Sequence, residues 1–428
     1  MTYWQADMET MSRADLEKLQ LKRLKETIQT AGNSTFYNKV FKEQKITPDS
    51  IHSLEDLKRI PFTTKEDLRN NYPFGMAAVP IQKCVRLHSS SGTTGNPTVV
   101  LHSAKDIDEW ANQVARCMYM VGLRNTDIFQ NTSGYGMFTG GLGFQYGAEK
   151  LGALTVPAAA GNSKRQLKFI ADFGTTCLHI IPSYATRLAE VMQESGIDPR
   201  RDTKLHTVCI GAEPHSEEQR KRIEELLGVK AYNCFGMSEM NGPGVAFECK
   251  EQNGLHIWED YVIVEIIDPI TLEPVPEGEV GELVLTAINR EAMPLLRYRT
   301  RDLTRIIQGK CACGRTHKRI DRFKGRSDDM LILKGVNLFP IQIETILMKF
   351  NELGNNYLIT IENDEMQVEV ELSDLFTDDY SQLQRLTKEV TRQLKDELLL
   401  TPKLKLVGRG SLPVQEGKAV RVKDLRKF

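Results

Sequence analysis

Between Gly152 and Tyr232 short apolar runs alternate with helical ones, and that alternation restricts the fold more than any other feature of the chain. The apolar runs are Ala153-Leu154-Thr155-Val156, Cys177-Leu178-His179-Ile180-Ile181 and Thr207-Val208-Cys209-Ile210. Helices are expected from Ser163, between the second and third runs, and from Glu217 to Leu227. Parallel strands covered by helices on both faces read as continuous apolar runs of this kind, so the pattern predicts an α/β fold with parallel sheets flanked by helices. Ligands of such sheets sit beyond the carboxyl ends of the strands. Two loops fall there: Gly211-Ala212-Glu213-Pro214 and Asn233-Cys234-Phe235-Gly236-Met237-Ser238-Glu239. The second offers a ring to stack on, a glycine for close backbone approach, a hydroxyl for a phosphate and a carboxylate for magnesium.

A second stretch, Ser89-Ser90-Ser91-Gly92-Thr93-Thr94-Gly95-Asn96-Pro97, sets five hydroxyls and two glycines between apolar runs. Glycines let backbone N–H groups turn inward, and the hydroxyls add rotatable donors for phosphate oxygens. Val85-Arg86-Leu87 before it and Thr98-Val99-Val100-Leu101 after it make a strand-loop-strand unit. A Walker loop runs from strand to helix and needs Gly-Lys-Ser/Thr, whereas Gly95 is followed by Asn96 and Pro97. A plain hairpin loop has the same composition.

Leu16, Leu19, Leu24 and Ile28 predict a helical entry that Pro61 stops, and Ala104 to Gly122 has amphipathic periodicity. Asn131 to Gly141 combines four glycines with Tyr135 and Phe138. It either lines an apolar cleft or enters a helix packed closely on a neighbour. After Gly325-Arg326 the chain changes character. Leu331-Ile332-Leu333, a helix from Ile341, strands at 357–361 and 366–372 and a charged helix from Tyr380 to Leu398 describe a small α+β domain, so the division expected is 1–325 and 326–428.

Fifty-six Lys plus Arg against 57 Asp plus Glu leave a net charge of −1, which provides no broad footprint for nucleic acid or anionic membrane. No run approaches a membrane span, and the polar start Met1-Thr2-Tyr3-Trp4 carries no leader, so a cytoplasmic chain is expected. Most of the eight cysteines stand singly in apolar contexts, as reduced thiols do. Cys311-Ala312-Cys313-Gly314 is the exception, and with Cys249 and His256 it makes a closed set of three sulfurs and one imidazole suited to structural Zn²⁺. His317 is a rival ligand, and reduced thiols are the rival reading.

Five motifs recur in order: Ser90-Ser91-Gly92-Thr93-Thr94-Gly95, Phe235-Gly236-Met237-Ser238-Glu239, Tyr298-Arg299-Thr300-Arg301-Asp302, Gly325-Arg326-Ser327-Asp328-Asp329 and Gly417-Lys418. Together they resemble the acyl-adenylate-forming superfamily. Pro61-Phe62-Thr63-Thr64-Lys65, Asn71-Tyr72-Pro73-Phe74-Gly75 and Asn337-Leu338-Phe339-Pro340 resemble the versions found in its phenylacetate-coenzyme A ligase family. Arg301, where the wider superfamily has glycine, points the same way.

The resemblance implies a reaction in two steps, formation of an acyl-adenylate from ATP and an aryl carboxylic acid, then displacement of AMP by coenzyme A. It implies that Ser89, Ser90, Ser91, Gly92, Thr93, Thr94 and Gly95 hold the β- and γ-phosphates, with Ser238 at the α-phosphate and Glu239 on Mg²⁺. Phe235, where most relatives have tyrosine, lies against adenine, and Gly211, Ala212, Glu213, Asn233, Gly236 and Met237 complete the nucleotide site. Asp302 accepts the ribose hydroxyls and Arg326 contacts ribose or phosphate. Lys418 bridges carboxylate and α-phosphate, Asp328 is the hinge of the mobile small domain, and Gly335 lines a pantetheine tunnel. Without the resemblance Asp302 reads as a turn residue, Asp328-Asp329 as a helix cap or turn and Lys418 as a solvated charge. Tyr135, Phe138, Gly140 and Gly141, with Gly211 and Ala212, form a flat slot for an aromatic ring, phenylacetate by default. A homodimer is what the resemblance suggests. Rival functions are an adenylating enzyme with another acyl acceptor and a non-catalytic nucleotide-binding relative.

Overall fold

The chain follows the local rules written into it. A helix at Arg13–Ala31 starts on Ser12, whose side chain accepts the Asp15 amide, and buries Leu16, Leu24 and Ile28. Leu19 is only half-buried; Gln20 turns inward instead and donates to the carbonyls of Glu259 and Val262 at 2.9 and 3.3 Å. The helical entry runs in pieces up to Pro61: Gly32 closes this helix, Thr35–Gln44 follows, and 3-10 segments at Pro48–Ser50 and Leu54–Arg59 complete it. The computed structural model describes residues 2–90, 96–333, 336–363, 365–374, 376, 379–413 and 419–426.

Two compact units result. The first comprises Met1–Ala160, Thr175–His179 and Tyr232–Phe323. In it the strand Ile128–Asn131 pairs in parallel with Leu154–Val156 on one side and Cys177–Ile180 on the other, which sets Asn131 opposite His179 at the carboxyl ends. The Ser/Thr/Gly stretch is flanked, as expected, by an antiparallel pair, Cys84–Ser89 with Val99–Ser103. Ser103 then caps the amphipathic helix Ala104–Met120 in a capping box with Asp106. A further antiparallel set, Val262–Ile267, Gly281–Ala287 and Tyr298–Thr304, contains Asp302 inside its last strand, not in the turn that its residue type alone suggests.

The glycines from Gly140 onward differ in what surrounds them. Thr139–Leu151 is a helix, and a Cβ on Gly143 would overlap Trp110 and Pro243, while one on Gly147 would overlap Val114. Gly140 faces open space and Phe138 is 57% exposed. The Gly143 and Gly147 side of the helix therefore packs against Ala104–Met120.

The second unit comprises Gly161–Gly174, Ile180–Ala231 and Lys324–Phe428. Helices Ser163–Phe173, Pro182–Glu194 and Glu217–Leu227 accompany the strand Thr207–Gly211, all four elements of the rhythm falling where the alternation placed them. Its C-terminal part is a four-stranded sheet in the order Lys403–Val407, Glu365–Leu372, Leu353–Glu362, Val422–Asp424. The helix Tyr380–Leu398 buries Leu386, Val390, Leu394 and Leu398 against that sheet's core, a strict four-residue spacing. Among the described residues no helix is long and apolar enough to cross a membrane.

Candidate active site and metal centre

In the first unit, the end of the strand Lys230–Met237 delivers Ser238 and Glu239 onto a short 3-10 turn. A Cβ on Gly236 would collide with the Gly242 carbonyl, so this turn needs glycine to double back. Ser238 Oγ lies 3.1 Å from Thr139 Oγ1, at the start of the glycine-bearing helix. The Glu239 carboxylate receives the Tyr298 hydroxyl at 3.3 Å, its one hydrogen bond among the described residues, and keeps oxygen acceptors for a hard cation. That donor set fits magnesium. Asn233 gives its N–H to Glu248 at 2.7 Å, and Phe235 meets Phe323 with ring centroids 4.5 Å apart.

At the base of the hydroxyl-rich loop, Ser90 Oγ accepts the Thr98 amide at 2.9 Å and the Ser90 amide reaches Thr98 O at 3.1 Å, which pins the hairpin on either side. Ser89 Oγ donates to the Ser90 carbonyl at 3.0 Å. Ser91, Gly92, Thr93, Thr94 and Gly95 lie outside the described residues, as do Gly335 and Lys418. Asp302 takes its place on the strand that carries Tyr298, its amide donating to Thr300 Oγ1 at 3.1 Å. Arg301 beside it has φ of +69°, the left-handed region that glycine enters freely. Its guanidinium sits 3.6 Å from Glu282, a compensating contact.

Tyr135 is held by a hydrogen-bond network that no motif announces. Asn131 Nδ2 donates to the Tyr135 hydroxyl at 3.2 Å and to the Gly141 carbonyl at 2.6 Å. Asn131 Oδ1 lies 3.1 Å from His179 Nδ1, which also meets Ser133 Oγ at 3.0 Å. The His179 ring stacks on Phe144 at 3.7 Å, and burial pushes its pKa down to about 3, so it stays neutral.

In the second unit, Gly211 ends its strand and Ala212 turns with φ of +68°. The Glu213 carboxylate is occupied by protein donors: Ser183 N–H at 3.0 Å, Ser183 Oγ–H at 2.9 Å and Ala419 N–H at 2.8 Å. Arg326 pairs with Asp328 at 2.9 Å, and burial together with Asp328 raises the carboxyl of Asp329. Glu213, Asp328, Asp329 and Ala419 border a cavity of about 580 Å³. Glu344 closes one wall; it is fully buried and accepts Ser216 N–H and Tyr357 O–H at 2.8 and 2.9 Å.

The cysteine cluster assembles in the first unit. Ligand atoms of Cys249, His256, Cys311 and Cys313 all lie within 4.8 Å of one another. Cys249 Sγ and Cys311 Sγ are 3.7 Å apart, and Cys313 Sγ is 3.3 Å from His256 Nε2. Two thiolates each about 2.3 Å from a tetrahedral zinc are about 3.8 Å apart, so the set fits that ion. The Cys313 thiol is held far below the ordinary thiol range, first by the Cys249 thiol and then by the His256 imidazole, while Cys249 is pushed up. His317 is no rival: its Nδ1 accepts the Glu259 amide at 3.0 Å and its Nε2 donates to Met8 O at 2.9 Å. The N-terminal segment clamps the same loop, with Tyr3 O–H on Cys313 O at 3.2 Å and Arg315 on Glu9 at 2.7 Å.

Residues 23–289 match the AMP-binding enzymes and residues 335–426 match the AMP-binding enzyme C-terminal domain, so the fold is that of an AMP-binding enzyme. The phenylacetate-coenzyme A ligase of Thermus thermophilus is 43% identical over 99% of this chain and 100% of its own length. That of Pseudomonas putida is 45% identical over 98% of this chain and 96% of its own. The chain belongs to the phenylacetate-coenzyme A ligase family. Among solved structures, 2-hydroxyisobutyryl-CoA ligase in the postadenylation state, in complex with R3-HIB-AMP, matches all of this chain and 93% of its own with a TM-score of 0.94 at 30% identity.

Proposed function

We propose that this chain converts phenylacetate, or a closely related aryl acid, to its coenzyme A thioester. The reaction class, ATP-dependent joining of an acid to coenzyme A through an acyl-adenylate, is that of its family. The acid's carboxylate attacks the α-phosphate of ATP, pyrophosphate leaves, and the coenzyme A thiol then displaces AMP. The observation that carries the reading is the Ser238–Glu239 turn. It presents a hydroxyl braced by Thr139 and a carboxylate braced by Tyr298 side by side.

In this reading Glu239 holds magnesium, which would neutralise charge building on the phosphates, and Ser238 donates to the α-phosphate. Ser89 to Gly95 grip the β- and γ-phosphates. Phe235, Asn233, Gly236, Met237, Gly211 and Ala212 receive adenine, and Glu213 organises that loop through Ser183 and Ala419. Asp302 accepts the ribose hydroxyls and Arg326 reaches ribose or phosphate. Lys418, in a small domain of residues 326–428 that turns about Asp328 against residues 1–325, bridges the two reacting anions. Gly335 lines the path of pantetheine. Tyr135, Phe138, Gly140 and Gly141 take the aryl ring, with the Asn131–His179 network fixing the tyrosine. Cys249, His256, Cys311 and Cys313 hold a structural zinc with no ligand position left for chemistry.

The test is pyrophosphate release with ATP and Mg²⁺ across aryl and aliphatic acids, with and without coenzyme A. Release that requires an arylacetic acid, with thioester appearing when coenzyme A is present, is expected. Turnover of aliphatic acids alone would refute the substrate assignment.

A further inference from the structure

Arg290 belongs to none of the sequence motifs, yet it sits where two phosphate-facing elements meet. It is buried, with 7% of its surface exposed. Its Nη1 donates to the main-chain carbonyl of Glu239 at 2.7 Å and its Nη2 to the carbonyl of Leu101 at 2.9 Å. Leu101 lies in Val99–Ser103, the strand that leaves the hydroxyl-rich loop. The segment carrying Arg290 is itself fixed, since the buried Asp106 accepts the amides of Glu291 and Ala292 at 2.9 and 3.0 Å. Asp106 and Glu239 are the two carboxylates whose charge the guanidinium feels.

One planar fork thus joins two acceptors that lie far apart in sequence, and no other charged side chain reproduces that geometry. The turn is held at both ends: Arg290 fixes the Glu239 backbone, and Tyr298 fixes its carboxylate. We infer that Arg290 is a positioning residue for adenylation, keeping the magnesium-binding carboxylate in register with the strand leaving the phosphate loop. This rests on the assignment of Glu239 to magnesium.

Arg290→Lys keeps the charge but reaches one carbonyl at a time, and Arg290→Gln keeps a single donor group. Both are compared with Glu239→Gln. Three quantities are read: Mn²⁺ affinity in the presence of ATP by electron paramagnetic resonance, half-saturating Mg²⁺ for pyrophosphate release, and thioester formation from supplied acyl-adenylate. Partners one step behind a metal ligand change metal affinity by about 10- to 100-fold, so both Arg290 variants should weaken Mn²⁺ and Mg²⁺ by at least about tenfold. Thioester formation from the adenylate should stay near the unmodified rate. Unchanged cation affinity in the Arg290 variants, with Glu239→Gln weakened, overturns the inference and leaves Glu239 standing. Unchanged affinity in Glu239→Gln removes both. Equal loss of the two half-reactions in the Arg290 variants makes the residue a structural brace and overturns the positioning role.

Discussion

Stripping the metal from the Cys249, His256, Cys311 and Cys313 cluster should cost the protein several kcal/mol while sparing its chemistry. Cys249 and Cys311 are 62 residues apart in sequence, and their sulfurs are 3.7 Å apart in space. A cross-link closing a loop of that length removes about 4 kcal/mol of chain entropy from the unfolded state. In a domain of a few hundred residues, each kcal/mol moves Tm by about 2–4 °C, so the metal-free form should melt roughly 10 °C lower. The loss should also be felt at the N-terminus, because Tyr3 and Glu9 are tied to the loop that carries Cys313. Elemental analysis of the purified protein, then calorimetry before and after chelation and on zinc return, measures the effect. Cys311→Ser should lose the metal and reproduce the low Tm, and limited proteolysis should then cut among the first residues. A protein that is metal-free as purified and unmoved by added zinc would refute the reasoning, because four such donors would then be held together by packing alone.

Four further outcomes follow from the geometry. Lys418→Ala should abolish pyrophosphate release yet leave thioester formation from supplied acyl-adenylate intact; equal loss of both half-reactions contradicts the role given to the lysine. Tyr298→Phe removes the hydroxyl on Glu239 and should raise the half-saturating Mg²⁺ for adenylation about fivefold, the worth of about 1 kcal/mol, with the second half-reaction unchanged. Gly143→Ala forces a methyl into Trp110 and Pro243 and should destabilise by about 1–3 kcal/mol, read as a lower denaturant midpoint. Burial holds His102 down to about 2 and His179 down to about 3, while the unfolded chain takes up those protons below about pH 6.5. Each folded-state pKa is depressed, so the stability these residues contribute is complete above pH 6.5 and is lost as pH falls from there toward 3, by about 1.4 kcal/mol per unit for each. Urea unfolding at pH 7.5 and 5.0 checks the sign, and His179→Gln should flatten the slope.

What could be read from the chain and what could not divide along a physical line. Helices Glu217–Leu227 and Tyr380–Leu398 begin and end where their periodicity and capping residues say, because those signals are local. The catalytic candidates were legible for a related reason: a carboxylate for magnesium or a hydroxyl beside a glycine turn has few chemical substitutes, so residue type carries meaning. Glycine is less informative, since it marks a missing side chain without saying what fills the space. Only the fold shows that the Trp110 ring stands behind Gly143 and open space beside Gly140. Leu19 yielded its inward place to Gln20 because two carbonyls wait there, a fact belonging to residues 259 and 262. The same holds for His317, excluded from the metal by Met8 and Glu259. Positioning roles were hidden, even for Tyr298, which stands inside a sequence motif. Arg290 reaches Glu239 across 51 residues and Tyr298 reaches it across 59, the first through a carbonyl that every residue possesses. An acceptor common to the whole backbone leaves no mark at its own position, and many side chains could in principle donate to it. A single sequence therefore exposes the groups that touch the reacting atoms more readily than the groups that aim them, and the latter are found only once the fold has brought distant segments within hydrogen-bond reach.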